Sequence, residues 1–448
     1  MRRIACGIGG ALAALVPSIA MWGFTVDDAL ISIRYAQNVA SGAGWRFDVN
    51  APPSDGVTPL PWVPILVPLS SGDPLDVLVR AKVLGVLAWT VAGAALGLAL
   101  ERRSTPRLAA VALAIVALAF PLGAWAASGM ETGLVMALAT FAAIAIEARP
   151  RTAAILAGIA AAFRPELLPW ALVVGIGARP GIATGALALG PFALCVAVRL
   201  VAFGSPSPLA VHAKPSDFTM GATYAAAALV VLVLPFLAAS PIAIAKTGTR
   251  SSKILALACI VHAMAVSAAG GDWMPYARLF VPIAPSLALV FADVARSARR
   301  PVLVYVRAAV AFGLGVLVAV KAAPAGRHVQ EDREALVKNA RPVLANAKAI
   351  ATLDIGWVSA AAPRDARIVD LAGLTEREIA LLPGGHTSKR IDVAMLADRK
   401  VDHIVVYSDA RVVEQRITRS PFFRDHYEKV TTLELGQRGA SYEVWAAR

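Results

Sequence analysis

The sequence is poor in charge. Only 16% of its 448 residues are Asp, Glu, Lys or Arg, whereas 58% are hydrophobic, and the mean hydropathy is +0.65. An ordinary soluble domain carries about 25% charged residues, so a purely soluble enzyme is excluded. Cysteine is almost absent. Cys6, Cys195 and Cys259 all lie in apolar segments, which excludes a disulfide framework and a cysteine-ligated metal. No GxxxxGK[ST] motif occurs, so nothing in the sequence cradles a nucleotide triphosphate by that route. Internal repeats and low-complexity tracts are also lacking.

What the chain does have is long apolar runs. Eleven segments read as membrane spans: 4–22, 82–100, 108–121, 131–146, 152–163, 166–178, 182–203, 221–244, 253–268, 279–296 and 302–321. Several fall short of the ~20 residues that a bilayer requires. FRPE interrupts the stretch 152–178, which reads as one kinked helix or two short ones. The opening MRRIACGIGGALAALVPSIAMW has the basic head of a signal sequence. Because further spans follow, it is expected to stay as the first helix.

The formal net charge is +13, of which +11 falls in the first 321 residues and +2 from residue 322 onward. The excess therefore sits where topology signals belong, which argues against a nucleic-acid partner. With the N-terminus in the cytoplasm, the inner connections hold 14 basic residues against two acids, Glu101 and Glu147. The positive-inside rule supports this orientation, and an odd number of spans then puts the C-terminal segment outside. Residues 322–448 are more polar. Stretches such as ARIVDLAGL, DHIVVYS and ASYEVWAA alternate with helical patterns such as IDVAMLADRKV, as in a small α/β domain. The expected architecture is a polytopic α-helical membrane module over 1–321 and an extracytoplasmic α/β domain over 322–448.

The informative polar stretches all fall on the outer face of this topology. In FTVDDALISIRYA, Asp27 and Asp28 open a segment whose Ala29, Leu30, Ile33, Ala36 and Ala40 recur at helical spacing, with Gly42 as a stop. It reads as an amphipathic helix on the outer membrane surface. An N-cap with a first-turn acid is the plain reading of the doublet. One acid suffices for that, however, and a second beside it raises the cost of ionising both. In ASGMETG, Glu131 stands at a span end, where an acid faces a cavity or a partner. In AFRPELLPW, Arg164 and Glu166 either pair with each other or Arg164 faces a phosphate. FGSPSPLAVHAKPSDF brings His212 and Lys214, the latter a point charge suited to a lipid phosphate. AAGGDWMPYARLFVP brings Asp272, Trp273, Tyr276 and Arg278: aromatic faces for a sugar ring and a guanidinium for phosphate.

A transferase on the outer face has no access to ATP or nucleotide sugars. Its donor must arrive through the membrane, as a polyprenyl-phosphate sugar does. Such a lipid needs cations at the interface, for which Arg164, Lys214 and Arg278 are the candidates. The acceptor hydroxyl, a weak nucleophile, needs a carboxylate base. Asp27 and Asp28 supply it, and Arg34, Glu131, Glu166, His212, Asp272, Trp273 and Tyr276 complete the substrate-binding set. The residues call for no certain cofactor. A divalent cation, Mg or Mn, is compatible with Asp27, Asp28 and Glu131 as oxygen ligands. Two rivals stand beside this reading: a polyprenyl-phosphate-sugar transporter or flippase, which uses the same charges, and a non-catalytic membrane receptor or scaffold whose tail binds a partner.

VDDALISIRYAQNVASGAGWRFDV, followed by SDGVTPLPW, resembles the first outer loop of the membrane-embedded glycosyltransferases of the GT-C class. ASGMET, RPE, SPSPLAVHAK, GGDWMPYARLFVP, DIGW and IVDLAGLT extend the resemblance over most of the chain. It is most similar to the bacterial branch that adds terminal arabinofuranose to cell-wall arabinan. That resemblance implies a bacterial inner-membrane enzyme and a polyprenyl-phosphate sugar donor such as decaprenylphosphoryl arabinofuranose. It also implies a glycan acceptor, Asp27 and Asp28 as catalytic acids, and a C-terminal domain that helps to position the acceptor.

Overall fold

The computed structural model describes residues 2–214, 216–233, 241–435 and 440–448. The chain forms two compact units. One contains Met1–Thr25, Ala81–Cys195 and Ser216–His328; the other contains Val26–Arg80, Val196–Pro215 and Val329–Arg448. The polar C-terminal segment is therefore grouped with two earlier stretches, which a boundary at residue 321/322 leaves out.

Apolar helices dominate. Among the described residues five are long and apolar enough to cross a membrane: Arg2–Ala20, Pro74–Arg103, Ile182–Phe203, Arg250–Ala269 and Pro301–Ala322. A sixth is gained if Pro106–Leu118 and Phe120–Ala126, bent by 60°, count as one span. This is a multi-pass membrane protein. The other segments expected to span are helical but short: Thr132–Ala145, Pro150–Phe163, Pro165–Ala178, Phe218–Leu232 and, for 279–296, Ala284–Arg296. Part of the expected span 221–244 lies outside the described residues.

Proline explains the interruption in 152–178. Arg164 is extended, with φ −132° and ψ 95°, because the ring of Pro165 disfavours helical geometry in the residue before it. Two short helices result. In the first unit, glycines let two helices touch backbone to backbone. A Cβ on Gly10 would lie 2.1 Å from the Gly93 carbonyl oxygen, and one on Gly97 would lie 2.1 Å from that of Cys6. Small residues are what permit such approach between membrane helices.

The second unit is built on a five-stranded sheet of order β2-β1-β3-β5-β4. Its strands are β1 Ala349–Thr352, β2 Arg367–Asp370, β3 His403–Tyr407, β4 Tyr427–Glu434 and β5 Ser441–Ala447. β1 runs parallel to both β2 and β3, while β5 is antiparallel to β3 and β4. Val369, Leu371, Ile404, Val406, Leu396, Val413, Ile417 and Phe423 form its core.

The helix Asp27–Ala40 begins and ends where the spacing predicts, and Gly42 turns left-handed at φ +80°. Its surroundings differ from expectation. Every residue from Ala29 to Asn38 is buried, so it is not a half-exposed helix lying on the membrane surface. It packs against the helices Trp62–Leu66 and Ile355–Ala361. The apolar stripe gave the helix, but its polar face (Arg34, Gln37, Asn38) is covered by protein rather than water.

Candidate functional site

In the second unit, Val26 occupies the N-cap position of the helix Asp27–Ala40 and makes no side-chain cap. Asp27 caps a different helix. Its Oδ2 accepts the amide of Gly356 at 2.7 Å and its Oδ1 that of Trp357 at 2.9 Å. These are the second and third residues of the helix Ile355–Ala361, whose orphan N–H groups an N-cap side chain normally satisfies. Asp354 holds the N-cap position there but makes no cap hydrogen bond. Its Oδ2 instead accepts from the Tyr442 hydroxyl at 2.7 Å and from Arg411 Nη2 at 2.9 Å. Glycine at 356 is a steric requirement, since a Cβ would lie 2.2 Å from the Asp27 carbonyl oxygen.

The charges are arranged around this contact. Burial raises the Asp27 carboxyl from its usual 3.8 to about 6; Arg333 opposes the rise and Asp354 adds to it. Burial would raise Asp354 too, but Arg411 and Arg333 outweigh it and hold that carboxyl below its usual range. Arg333 Nη1 donates to the Tyr442 hydroxyl at 3.4 Å. Arg411 is anchored by Glu414, with Nη2 to Oε1 at 2.6 Å. Asp28, half-buried beside Asp27, has no side-chain partner among the described residues. The doublet is thus unequal: one carboxylate is committed to backbone amides and the other is not.

Other candidates in this unit have structural partners. Arg34 is buried and donates to the carbonyls of Phe47, Ser359 and Arg364. Its remaining neighbour is Asp48 at 3.7 Å. The guanidinium ties the helix to the C-terminal segment. Nε2 of His212 lies 3.1 Å from Ser207 Oγ, and Lys214 closes the short helix Leu209–Ala213. Arg199 reaches Asp55 Oδ2 at 2.7 Å through Nε.

The first unit gathers the remaining candidates. Glu131, fully buried, pairs with Arg164 Nη2. Arg164 also donates to Thr132 Oγ1 at 3.3 Å and has Glu166 Oε1 at 3.8 Å. The ring of His262 bridges the Glu166 carbonyl at 3.1 Å and the Leu279 carbonyl at 2.8 Å, which connects this pair to the second cluster. There Arg278 Nε meets Asp272 Oδ2 at 2.7 Å, and the guanidinium lies over the ring of Trp125 at 5.6 Å. Trp125 Nε1 donates to the carbonyl of Tyr276 at 3.2 Å. Tyr276 and Ala277 are both left-handed, at φ 61° and 52°, a costly conformation for residues with a Cβ. The Tyr276 ring lies against Phe24 and Phe120, with centroids 5.2 and 4.9 Å away. Trp273 is 56% exposed.

Among the described residues no three His, Cys, Asp or Glu side chains converge as a metal site. Both Asp27 oxygens already accept amide N–H groups, which makes it a poor cation ligand. Sequence reasoning missed Arg333, Asp354, Gly356, Trp357, Arg411 and Tyr442. Only the DIGW tetrapeptide, 354–357, carried a local signal.

Residues 326–445 match a family described as a domain of unknown function (DUF8728). Curated proteins give no match to the chain. Among solved structures, the crystal structure of ArnT from Cupriavidus metallidurans bound to undecaprenyl phosphate is similar, with a TM-score of 0.57 and 12% identity. The alignment covers 98% of this chain and 97% of that one. At that identity the likeness is one of fold: the chain has a polytopic fold like that of ArnT.

Proposed function

We propose that the protein is a membrane glycosyltransferase that moves a sugar from a polyprenyl-phosphate donor to a cell-envelope glycan at the outer face of a bacterial inner membrane. The inequality of the acid doublet carries this reading. Asp28 acts as the base. The acceptor hydroxyl attacks the anomeric carbon, its proton passes to Asp28, and the bond from that carbon to the phosphate oxygen breaks. The polyprenyl phosphate leaves as an anion. Asp27 holds its neighbour in place through the amides of Gly356 and Trp357.

The donor class is supported by the fold shared with an undecaprenyl-phosphate-bound protein. An apolar cavity of about 560 Å³ in the second unit, lined by Trp45, Pro53, Leu60, Pro61, Val198 and Phe203, suits an isoprenoid chain. The proposed phosphate-binding cations are Arg164 and Arg278 within the first unit and Lys214 within the second. Glu131 holds Arg164 tightly whereas Glu166 sits at 3.8 Å, so an incoming phosphate exchanges with Glu166. Arabinofuranose is the sugar suggested by the sequence resemblance.

The test is reconstitution into vesicles with decaprenylphosphoryl arabinofuranose and the native envelope glycan fraction. Release of decaprenyl phosphate with labelled sugar in the glycan is expected. Lipid translocation with no covalent product would replace this reading with a flippase.

A further inference from the structure

The segment 326–445 matches a domain of unknown function, and it supplies both hydrogen-bond partners of the Asp27 side chain among the described residues. Gly356 and Trp357 hold both carboxylate oxygens. Asp354 stands one residue before that helix and turns its side chain away from the helix's own amides. Tyr442 of β5 and Arg411 grip it at 2.7 and 2.9 Å. The Trp357 and Tyr442 rings meet edge to face, with centroids 5.0 Å apart. An Asp at an N-cap position normally caps its own helix. Here that task is left to Asp27.

We propose that Asp354, clamped by Tyr442 and Arg411, is a positioning residue of the acid doublet. It fixes the start of the helix that holds Asp27 and sets a second negative charge beside that carboxylate. Four groups act on the Asp27 carboxylate: Arg333 from the helix Val329–Leu344, and Asp354 with the amides of Gly356 and Trp357 from the C-terminal segment. Behind Asp354 stand Tyr442, Arg411 and, through Arg411, Glu414. Arg333 and Asp354 carry opposite charges toward the same carboxylate, so they pull its proton affinity in opposite directions. Neutral Asp27 would carry its proton on one oxygen and would hold one of the two amides more weakly. Protonation therefore weakens this hold and lowers, without abolishing, transfer on the acid side of the activity profile.

This inference rests on the glycosyltransferase reading, and two readouts separate them. The first is the pH profile of sugar transfer from decaprenylphosphoryl arabinofuranose by wild type, Asp354→Asn, Tyr442→Phe and Arg333→Met. The second is an infrared pH titration of the carboxyl band that disappears in Asp27→Asn, which needs no turnover. Asp354→Asn is expected to move the acid midpoint down by ~0.5 unit or more, and Arg333→Met to move it up. Tyr442→Phe, which keeps the charge but frees it, is expected to lower kcat with the donor KM unchanged. Midpoints that stay fixed, or that shift in the same direction in both charge variants, overturn the assignment of Asp354. If wild type transfers no sugar, the glycosyltransferase reading fails while the infrared shifts still decide the role of Asp354.

Discussion

Asp27 binds the backbone amide of Trp357 at 2.9 Å across a sequence separation of 330 residues. A side chain near the N-terminus thereby caps a helix near the C-terminus. The doublet depends on a segment that no local reading of the sequence would attach to it.

That dependence makes Gly356 sensitive. Any Cβ there would fall 2.7 Å from Asp27 Oδ2 and closer still to its backbone oxygen. Gly356→Ala must push the two elements apart. The expected outcome is a transfer rate at least tenfold down, with the donor KM little changed. Wild-type turnover would show that the contact is dispensable.

The stability of the second unit should rise on mild acidification. Burial raises five of its carboxyls: Asp27 and Asp48 to about 6, Glu376 to about 7, and Asp55 and Asp370 in the same direction. In the unfolded chain they titrate near 4. Between about pH 4 and 7 the folded state thus binds more protons than the unfolded one, and stability falls as pH rises. Asp354 works in the opposite sense, since its lowered value gives stability that is lost only below about 4. Melting followed by tryptophan fluorescence in detergent should give a higher midpoint at pH 5.5 than at pH 7.5. Asp48→Asn should flatten the difference. A midpoint that drops on acidification would contradict the assignment.

The ion pair in the first unit predicts an asymmetry. Removing Arg164 leaves Glu131 buried without its counter-charge, which costs about 3 kcal/mol or more. Removing the Glu131 charge leaves Arg164 with Glu166 at 3.8 Å. Arg164→Met should therefore lower the melting midpoint more than Glu131→Gln does. Equal losses would mean that the pair does not carry the local stability.

Glu166 is the carboxylate expected to yield to the donor phosphate. Glu166→Gln should leave the fold intact and alter the donor KM by severalfold with kcat nearly constant. A change confined to kcat would place Glu166 in the chemistry instead.

Much of this was legible from local pattern. Apolar runs located the helices, the stop at Gly42 fell where it was expected, and VDD marked the helix that carries the candidate acids. Pro165 forecast the break at Arg164, though not whether one helix or two would result. The partners of those residues were not legible. Arg34 was placed in the substrate-binding set, yet three of its N–H groups go to backbone carbonyls. Tyr276 looked like a sugar platform, but its backbone is left-handed and its ring lies against Phe24 and Phe120. Periodicity reports which face is apolar. It does not report which distant segment covers the polar one, and Asp354 and Tyr442 reach their roles only through that covering.

The division of labour within the doublet is best tested by comparing Asp27→Asn with Asp28→Asn in the same vesicle assay, with melting recorded alongside. Asp28→Asn should abolish transfer while leaving the melting midpoint unchanged. Asp27→Asn should keep measurable transfer but cost about 1 kcal/mol through its weakened cap. Full transfer by Asp28→Asn, or the reverse pattern of losses, would contradict the account.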